Sequence, residues 1–395
     1  MATASELLTE IAGIGRDRAT GGYHRLAWTP ETLALREWFA GEAAARGLEL
    51  AEDGNGNQLA WWGTGSGALL IGSHLDSVRG GGAYDGPLGV ASAFAAIDAL
   101  RAQGFVPSRP IAVANFTDEE GARFGVACLG SRLATGALSP DRALGLRDDD
   151  GTTLAEAMAA HGRDPAAAGP AAWLDRIAAF VELHVEQGRC LIDSQAPVGV
   201  ASAIWPHGRY RFDLAGQGNH AGTTAMTERH DPMLTYAAAV LAAATAAGEA
   251  EQRATFGRVQ VSPGNTNAIP VRVQAWLDAR ADTEAALSGL VARILADTRR
   301  AAATHGTTVE FAAESVTGAV VFDQALCDRL AGLLDAPVLP TGAGHDAGIL
   351  ATRLPTAMLF VRNPTGISHA PQEFATPDDC EAGVAALARV VEELA

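Results

Sequence analysis

The sequence predicts an α/β protein with a mostly parallel sheet, interrupted by an inserted ferredoxin-like domain of order β-α-β-β-α-β. Three observations carry this reading. Short apolar runs at Ala68–His74, 111–117, 180–185 and Thr356–Val361 have the length and continuity of strands buried on both faces. Helical patterns alternate with them, as in a sheet whose parallel strands are joined by crossover helices. Between about residues 207 and 317 the pattern changes to alternating strands at 209–214, 254–262, 271–280 and 307–314, with helices at 231–248 and 283–304.

The elements follow in order. Residues 30–47 form an amphipathic helix that opens on Pro30 and closes on Gly47. Gly80, Gly81 and Gly82 form a turn after the first strand, and 87–100 is a helix with Pro87 in its first turn. The strand near the C-terminus returns to the first sheet after the inserted segment. The predicted organisation is therefore 1–206 and 318–395 as the two parts of the α/β domain, with 207–317 inserted between them.

Composition narrows the chemistry. The chain has 395 residues, a formal net charge of −17, and 29 basic residues that are all arginine. The absence of lysine excludes a Schiff-base lysine, a Walker A lysine and a carbamylated-lysine metal bridge. An acidic chain without a basic patch argues against nucleic acid as a partner. The four cysteines, Cys128, Cys190, Cys327 and Cys380, are far apart and form no CxxC pair, so neither a thiolate zinc site nor a disulfide framework is indicated. Glu6 and Glu10 stand where a signal peptide would be basic. The charge-free stretch between Asp231 and Glu249 falls short of the ~20 residues of a membrane span and reads as a buried helix. These features predict a cytoplasmic protein with no membrane partner.

The chemistry gathers at the strand ends, where ligands bind in open α/β sheets. The first strand runs into His74-Leu75-Asp76, and the second into Asp118-Glu119-Glu120. The third carries Glu182-Leu183-His184 and continues to Gln187, and the fourth leads to Ser368-His369. Any one of these residues alone reads as structural, but the same chemistry at four strand ends does not. His74 and Asp76 share a face of an extended segment, so the carboxylate can orient the imidazole. The three glycines let Asp85 turn back towards the strand end. His74, Asp85, Glu120, His184 and His369 then offer three imidazoles and two carboxylates, a set suited to zinc, manganese or cobalt. Adjacent glutamates on an extended chain cannot readily face one ion. Glu120 is therefore the candidate ligand, and Glu119 the candidate general base for a water of lowered pKa.

The segments GSHLDSVRGGGAYDG, FTDEEGARFG, ELHVEQG and SHAPQE resemble those of dinuclear-metal M20 peptidases and amidases. The hydantoinase/carbamoylase subgroup, with its allantoate amidohydrolases and N-carbamoyl-L-amino-acid hydrolases, is the nearest in pattern. The resemblance runs from about Gly13 to the C-terminus. It implies two divalent metal ions per subunit, one held by His74, Asp85 and His184 and the other by Asp85, Glu120 and His369, with Asp85 bridging. It also implies Glu119 as general base and Asp76 as support for His74. The histidine of ELHVEQG separates the subgroup from the wider family, which tends to have a carboxylate there.

The resemblance extends to the insert, which in the family is a lid and dimerisation domain. GQGNHAGTTAM is similar to a family segment that usually has proline where Ala225 stands. It implies that His220 polarises the scissile carbonyl, across a homodimer, and that Asn267 and Arg280 hold a substrate carboxylate. Gln187 and Arg209 match substrate-proximal positions more loosely, and His345 in GAGHDA matches either an outer-shell or a structural position. The implied function is hydrolysis of a linear C–N bond in allantoate or an N-carbamoyl-L-amino acid, a small carboxylate. Alternatives are an N-formyl or N-acyl amino acid hydrolase, a dipeptidase of the wider family, or a non-catalytic relative.

Overall fold

The computed structural model describes residues 2–395. The strands of four or more residues are β1 (Glu49–Glu52), β2 (Gln58–Trp62), β3 (Ala68–His74), β4 (Ile111–Phe116), β5 (Ile177–Val185), β6 (Val198–Ile204), β7 (His207–Ala215), β8 (Arg253–Ser262), β9 (Arg272–Arg280), β10 (Thr308–Thr317), β11 (Val338–Thr341) and β12 (Thr356–Val361). The chain divides into two compact units. One comprises residues up to Ala203 together with Val321–Ala395, and the other is Ile204–Val320.

The first unit is built on a sheet that runs β1-β2-β4-β3-β5-β12-β6, with β11 beside β6. Its centre, β4-β3-β5-β12, is parallel throughout. β3, β4 and β12 are buried along their full length, which explains why their sequences are continuous apolar runs rather than alternating ones. The flanks are antiparallel: β1 on β2, β2 on β4, and β6 on β12. The sequence reading located only the parallel centre. β1, ELAE, is exposed at every position and carries no hydrophobic signal of its own.

Helix Pro87–Ala102 packs on this sheet with a nearly continuous buried surface. The C-terminal helix Pro377–Leu394 is capped by Thr376, whose Oγ1 accepts from Asp379 N at 3.1 Å. Because β3, β4, β5 and β12 are parallel, their carboxyl ends open on one edge of the sheet.

In the second unit, β7 and β9 are central in a four-stranded antiparallel sheet of order β10-β7-β9-β8. Helices Pro232–Glu249 and Glu284–His305 fall after β7 and β9, giving the element order β-α-β-β-α-β. Phe212, Leu214, Val273 and Leu277 from the sheet pack with Ala243, Leu290 and Ile294 from the helices. The first helix was expected to be buried, and the structure corrects this. Thr235, Ala239, Ala243 and Ala246 form the buried stripe, whereas Leu241 is 70% exposed. Small alanines suffice for close helix–sheet packing, so the charge-free sequence masks a one-sided helix. No helix among the described residues is long and apolar enough to cross a membrane.

Candidate metal centre

The strand ends bring together two groups of metal-ligand donors that share one residue. His74, Asp85 and His184 form one group, and Asp85, Glu120 and His369 the other. Asp85 Oδ1 lies 3.1 Å from His184 Nε2 and 3.6 Å from His74 Nε2. Its second oxygen, Oδ2, lies 3.4 Å from His369 Nε2, which is also 3.4 Å from Glu120 Oε2. A carboxylate with one oxygen facing each group is placed to bridge two cations.

The imidazoles are oriented for ligation. His184 Nδ1 lies 2.9 Å from its neighbour's carbonyl, Val185 O, and His74 Nδ1 lies 3.2 Å from Asp76 O. Carbonyls only accept, so each Nδ1 carries a proton, and in the neutral ring each Nε2 presents a lone pair. Both Nε2 atoms are buried without a hydrogen-bond partner. Buried ring nitrogens without a hydrogen-bond partner beside a carboxylate fit a divalent cation, and the nitrogen–oxygen donor set suits the zinc, manganese and cobalt class.

The backbone explains how Asp85 reaches the site. A Cβ on Gly86, which has φ +83°, would lie 2.4 Å from the His74 ring, so only glycine lets the loop pass the imidazole. A Cβ on Gly82 would collide with Glu373, whose Oε1 accepts from Tyr84 N and Asp85 N, both at 2.9 Å. Asp85 Oδ2 accepts from Gln187 Nε2 at 2.8 Å and from Ser368 Oγ at 3.0 Å. Gln187 therefore touches the shared carboxylate itself.

Asp76 is a hub. Its Oδ1 accepts from Glu119 N and its Oδ2 from Glu120 N, each at 3.1 Å, and Oδ1 stands 3.4 Å from His74 Nδ1. Glu119 is 5% exposed, with Oε2 3.7 Å from His74 Nε2 and Oε1 accepting from the Cys128 thiol at 3.4 Å. The adjacent glutamates are thus both inside the site, separated by the turn that Asp76 fixes.

Electrostatics divides the acids. Burial alone would raise the Asp85 pKa, but His184, His369 and His74 override it and hold the group well below the usual carboxylate range. Burial, helped by Asp346, Glu120 and Asp76, holds Glu119 well above that range although His74 opposes it. Burial and Asp85 push Glu120 up to about 7. Burial works against protonation of His74, yet Glu119, Asp76 and Asp85 keep its pKa well above the ordinary imidazole value.

Glu182 and Asp118, which sequence reasoning left without a role, are also here, as is His345, which it left between two. Glu182 accepts from Ser73 Oγ and from Ala347 N, both at 2.8 Å. It shares a strand face with His184 at spacing two, so periodicity could have flagged it. Asp118 is buried at φ +54° with neither carboxylate oxygen hydrogen-bonded. His345 is buried with its ring edge on His184, centroids 4.5 Å apart. Burial, and then His184, hold its pKa well below the usual value, so it is neutral.

The remaining predicted residues lie in the second unit. His220 is exposed on a short bridge, paired with Ala268, and Ala221 N donates to Asn267 O at 3.0 Å, so His220 and Asn267 are neighbours. His220 Nδ1 accepts from Gly222 N at 3.0 Å, which leaves Nε2 as the donor of the neutral ring. Arg280 Nε donates to Asp278 Oδ1 at 2.8 Å, and Arg209 Nε lies 3.9 Å from the same carboxylate.

Comparison with known proteins gives the family. The profile of Peptidase family M20/M25/M40 matches residues 70–393. The chain is 38% identical to the N-carbamoyl-L-amino acid amidohydrolase of Geobacillus stearothermophilus, over 98% of this chain and 97% of that protein. It is 34% identical to the allantoate amidohydrolase of Escherichia coli, over 99% of this chain and 97% of that one. A crystal structure of an amidase of the hydantoinase/carbamoylase family from Burkholderia vietnamiensis superimposes with a TM-score of 0.88 at 31% identity, covering 99% of this chain and 96% of that one. With two donor groups meeting at one carboxylate and similarity along almost its whole length, the chain belongs to the M20/M25/M40 family, among its hydantoinase/carbamoylase amidases.

Proposed function

We propose that the protein is a dinuclear metal-dependent amidohydrolase that cleaves a linear C–N bond of a ureido substrate carrying a nearby carboxylate, either allantoate or an N-carbamoyl-L-amino acid. The observation that carries this is Asp85, with one oxygen on each of two three-donor groups. The names of the two relatives above supply the substrate classes. His74, Asp85 and His184 would hold one ion, and Asp85, Glu120 and His369 the other. Bound there, zinc, manganese or cobalt would supply Lewis acidity, lowering the pKa of a water and polarising the scissile carbonyl.

The chain's own residues do the rest. Glu119 takes the proton of the attacking water and hands it to the departing nitrogen. A carboxyl whose proton affinity burial has raised suits both halves of that transfer. Asp76 holds the Glu119–Glu120 turn, and Gln187 and Glu373 fix Asp85. We read the inserted unit as a ferredoxin-like lid that also forms a homodimer. In that reading His220 donates from Nε2 to the developing oxyanion, from the partner subunit. Arg280 and Asn267 clamp the substrate carboxylate, with Arg209 close by. A cytoplasmic location accords with four free cysteines.

The test is ammonia release by metal-reconstituted protein, with the product amino acid followed in parallel, on allantoate, several N-carbamoyl-L-amino acids, an N-formyl amino acid and a dipeptide. Metal-dependent ammonia from a ureido substrate is the expected result and names the branch. Cleavage of the dipeptide or the formyl compound alone would overturn the substrate assignment.

A further inference from the structure

The metal centre leaves one buried cation unexplained. Arg25 is 1% exposed, and no carboxylate offsets its charge. Its Nε donates to Ile14 O at 3.0 Å and its Nη2 to Ile11 O at 2.7 Å, while Nη1 has no partner. The guanidinium carbon sits 4.2 Å from the centroid of the Tyr23 ring. Carbonyl dipoles and a ring face only partly offset a full charge, and buried charges normally have a counter-charge. Burial pushes the Arg25 pKa down to about 10, so the group is still cationic at neutral pH.

Arg25 lines a cavity of about 300 Å³ whose other walls include Leu8, Ala12, Tyr23, Tyr84 and Phe374. None of the proposed metal donors lines it. A largely apolar hollow of this size with one cation has the composition of a small-molecule site. We propose that this cavity binds a small organic monocarboxylate, its carboxylate on Arg25 and its apolar body against Tyr23, Tyr84 and Phe374. One cation selects one anionic group. The aromatic walls select a flat or branched hydrocarbon remainder, which an inorganic anion lacks.

The site is wired to the metal centre through the backbone. Tyr84 directly precedes the bridging Asp85, and Phe374 directly follows Glu373, which accepts from the N–H groups of both Tyr84 and Asp85. An occupant that packs on Tyr84 and Phe374 acts on both sides of that clamp, so it modulates turnover without touching substrate.

Calorimetry on the metal-loaded protein tests this with phenylacetate, benzoate and isovalerate, and with phenylacetamide as the neutral control. At least one carboxylate should bind, with phenylacetamide about tenfold or more weaker than phenylacetate, the scale of a lost charge-assisted hydrogen bond. Binding should be lost in Arg25→Gln and in Thr9→Trp, which fills the cavity, and retained in Arg280→Gln. Loss in Arg280→Gln, survival in Thr9→Trp, or no binding by any of the three carboxylates overturns the proposal. If Arg25→Gln fails to fold, Thr9→Trp decides.

Discussion

Replacing Asp76 by alanine should weaken metal binding and stability together, because one carboxylate orients three parts of the site. Asp76 is 4% exposed and accepts from Glu119 N and Glu120 N, both at 3.1 Å. Hydrogen bonds to a charged group are worth ~1.5–3 kcal/mol each, so two give ~3–6 kcal/mol if additive. They share one carboxylate, and additivity fails for such neighbours, so about 3 kcal/mol is the working figure. That corresponds to a fall in melting temperature of about 4 °C in a chain of this size. The freed turn carries Glu120, and the lost carboxylate also faces His74 Nδ1, so metal affinity should drop roughly ten- to a hundredfold. Asp76→Asn keeps one acceptor but turns an amide N–H₂ on the second backbone N–H, and should fall between. Competition against a chromophoric chelator measures the affinity, and thermal unfolding in excess metal measures the stability. An Asp76→Ala protein that binds both ions within about twofold of the unmodified chain would refute the account of Asp76 as a positioning group.

Glu119→Gln should retain both metals yet lose roughly a hundredfold or more in kcat, seen by metal analysis and single-turnover ammonia release. Arg280→Gln should raise KM for a ureido acid roughly tenfold or more while leaving an amide analogue unaffected, read from paired steady-state kinetics. His345 has a folded pKa well below its unfolded value of ~6.5, so its stability contribution is full above that pH and lost as pH falls towards the folded value. His345→Asn should therefore flatten the decline in melting temperature between about pH 7 and pH 5, relative to the unmodified chain. Metal loading should release protons and tighten as pH rises, measured by calorimetry in buffers of different ionisation enthalpy.

The parallel centre of the sheet was legible because strands buried on both faces cannot hide their composition. β3 is apolar until Ser73 and His74 at its carboxyl end, β4 but for Asn115, and β12 after Thr356. The donors were legible for a related reason: polar residues that interrupt such runs at their carboxyl ends have few structural uses. Asp85 was legible through its glycines, and the structure gives the cause in the collisions a Cβ would meet at Gly82 and Gly86. What stayed hidden depends on contacts between distant segments. Glu373 meets the N–H groups of Tyr84 and Asp85 from nearly three hundred residues away, and no local pattern encodes that. β1 and β2 gain strand character from pairing rather than from composition. The exposed face of helix Pro232–Glu249 was hidden because alanine marks neither inside nor outside.

The proton linkage follows from how charge is shared in the site. Asp85 is held ionised although burial opposes it, because three imidazoles face it. It is also the only residue common to both donor groups. Those imidazoles hold protons more strongly than free histidine: His369 is raised to about 9 by Asp85, and Asp85 raises His184 against the opposing effect of burial. Glu120, at about 7, is close to half protonated near neutrality. Protons and metal ions thus compete for the same lone pairs, and a histidine must be neutral and a carboxylate ionised to ligate. Two dications take over the role the protons play in balancing the buried carboxylates. Loading therefore expels protons from His74, His184, His369 and Glu120, and rising pH favours the metal form until those groups are deprotonated on their own.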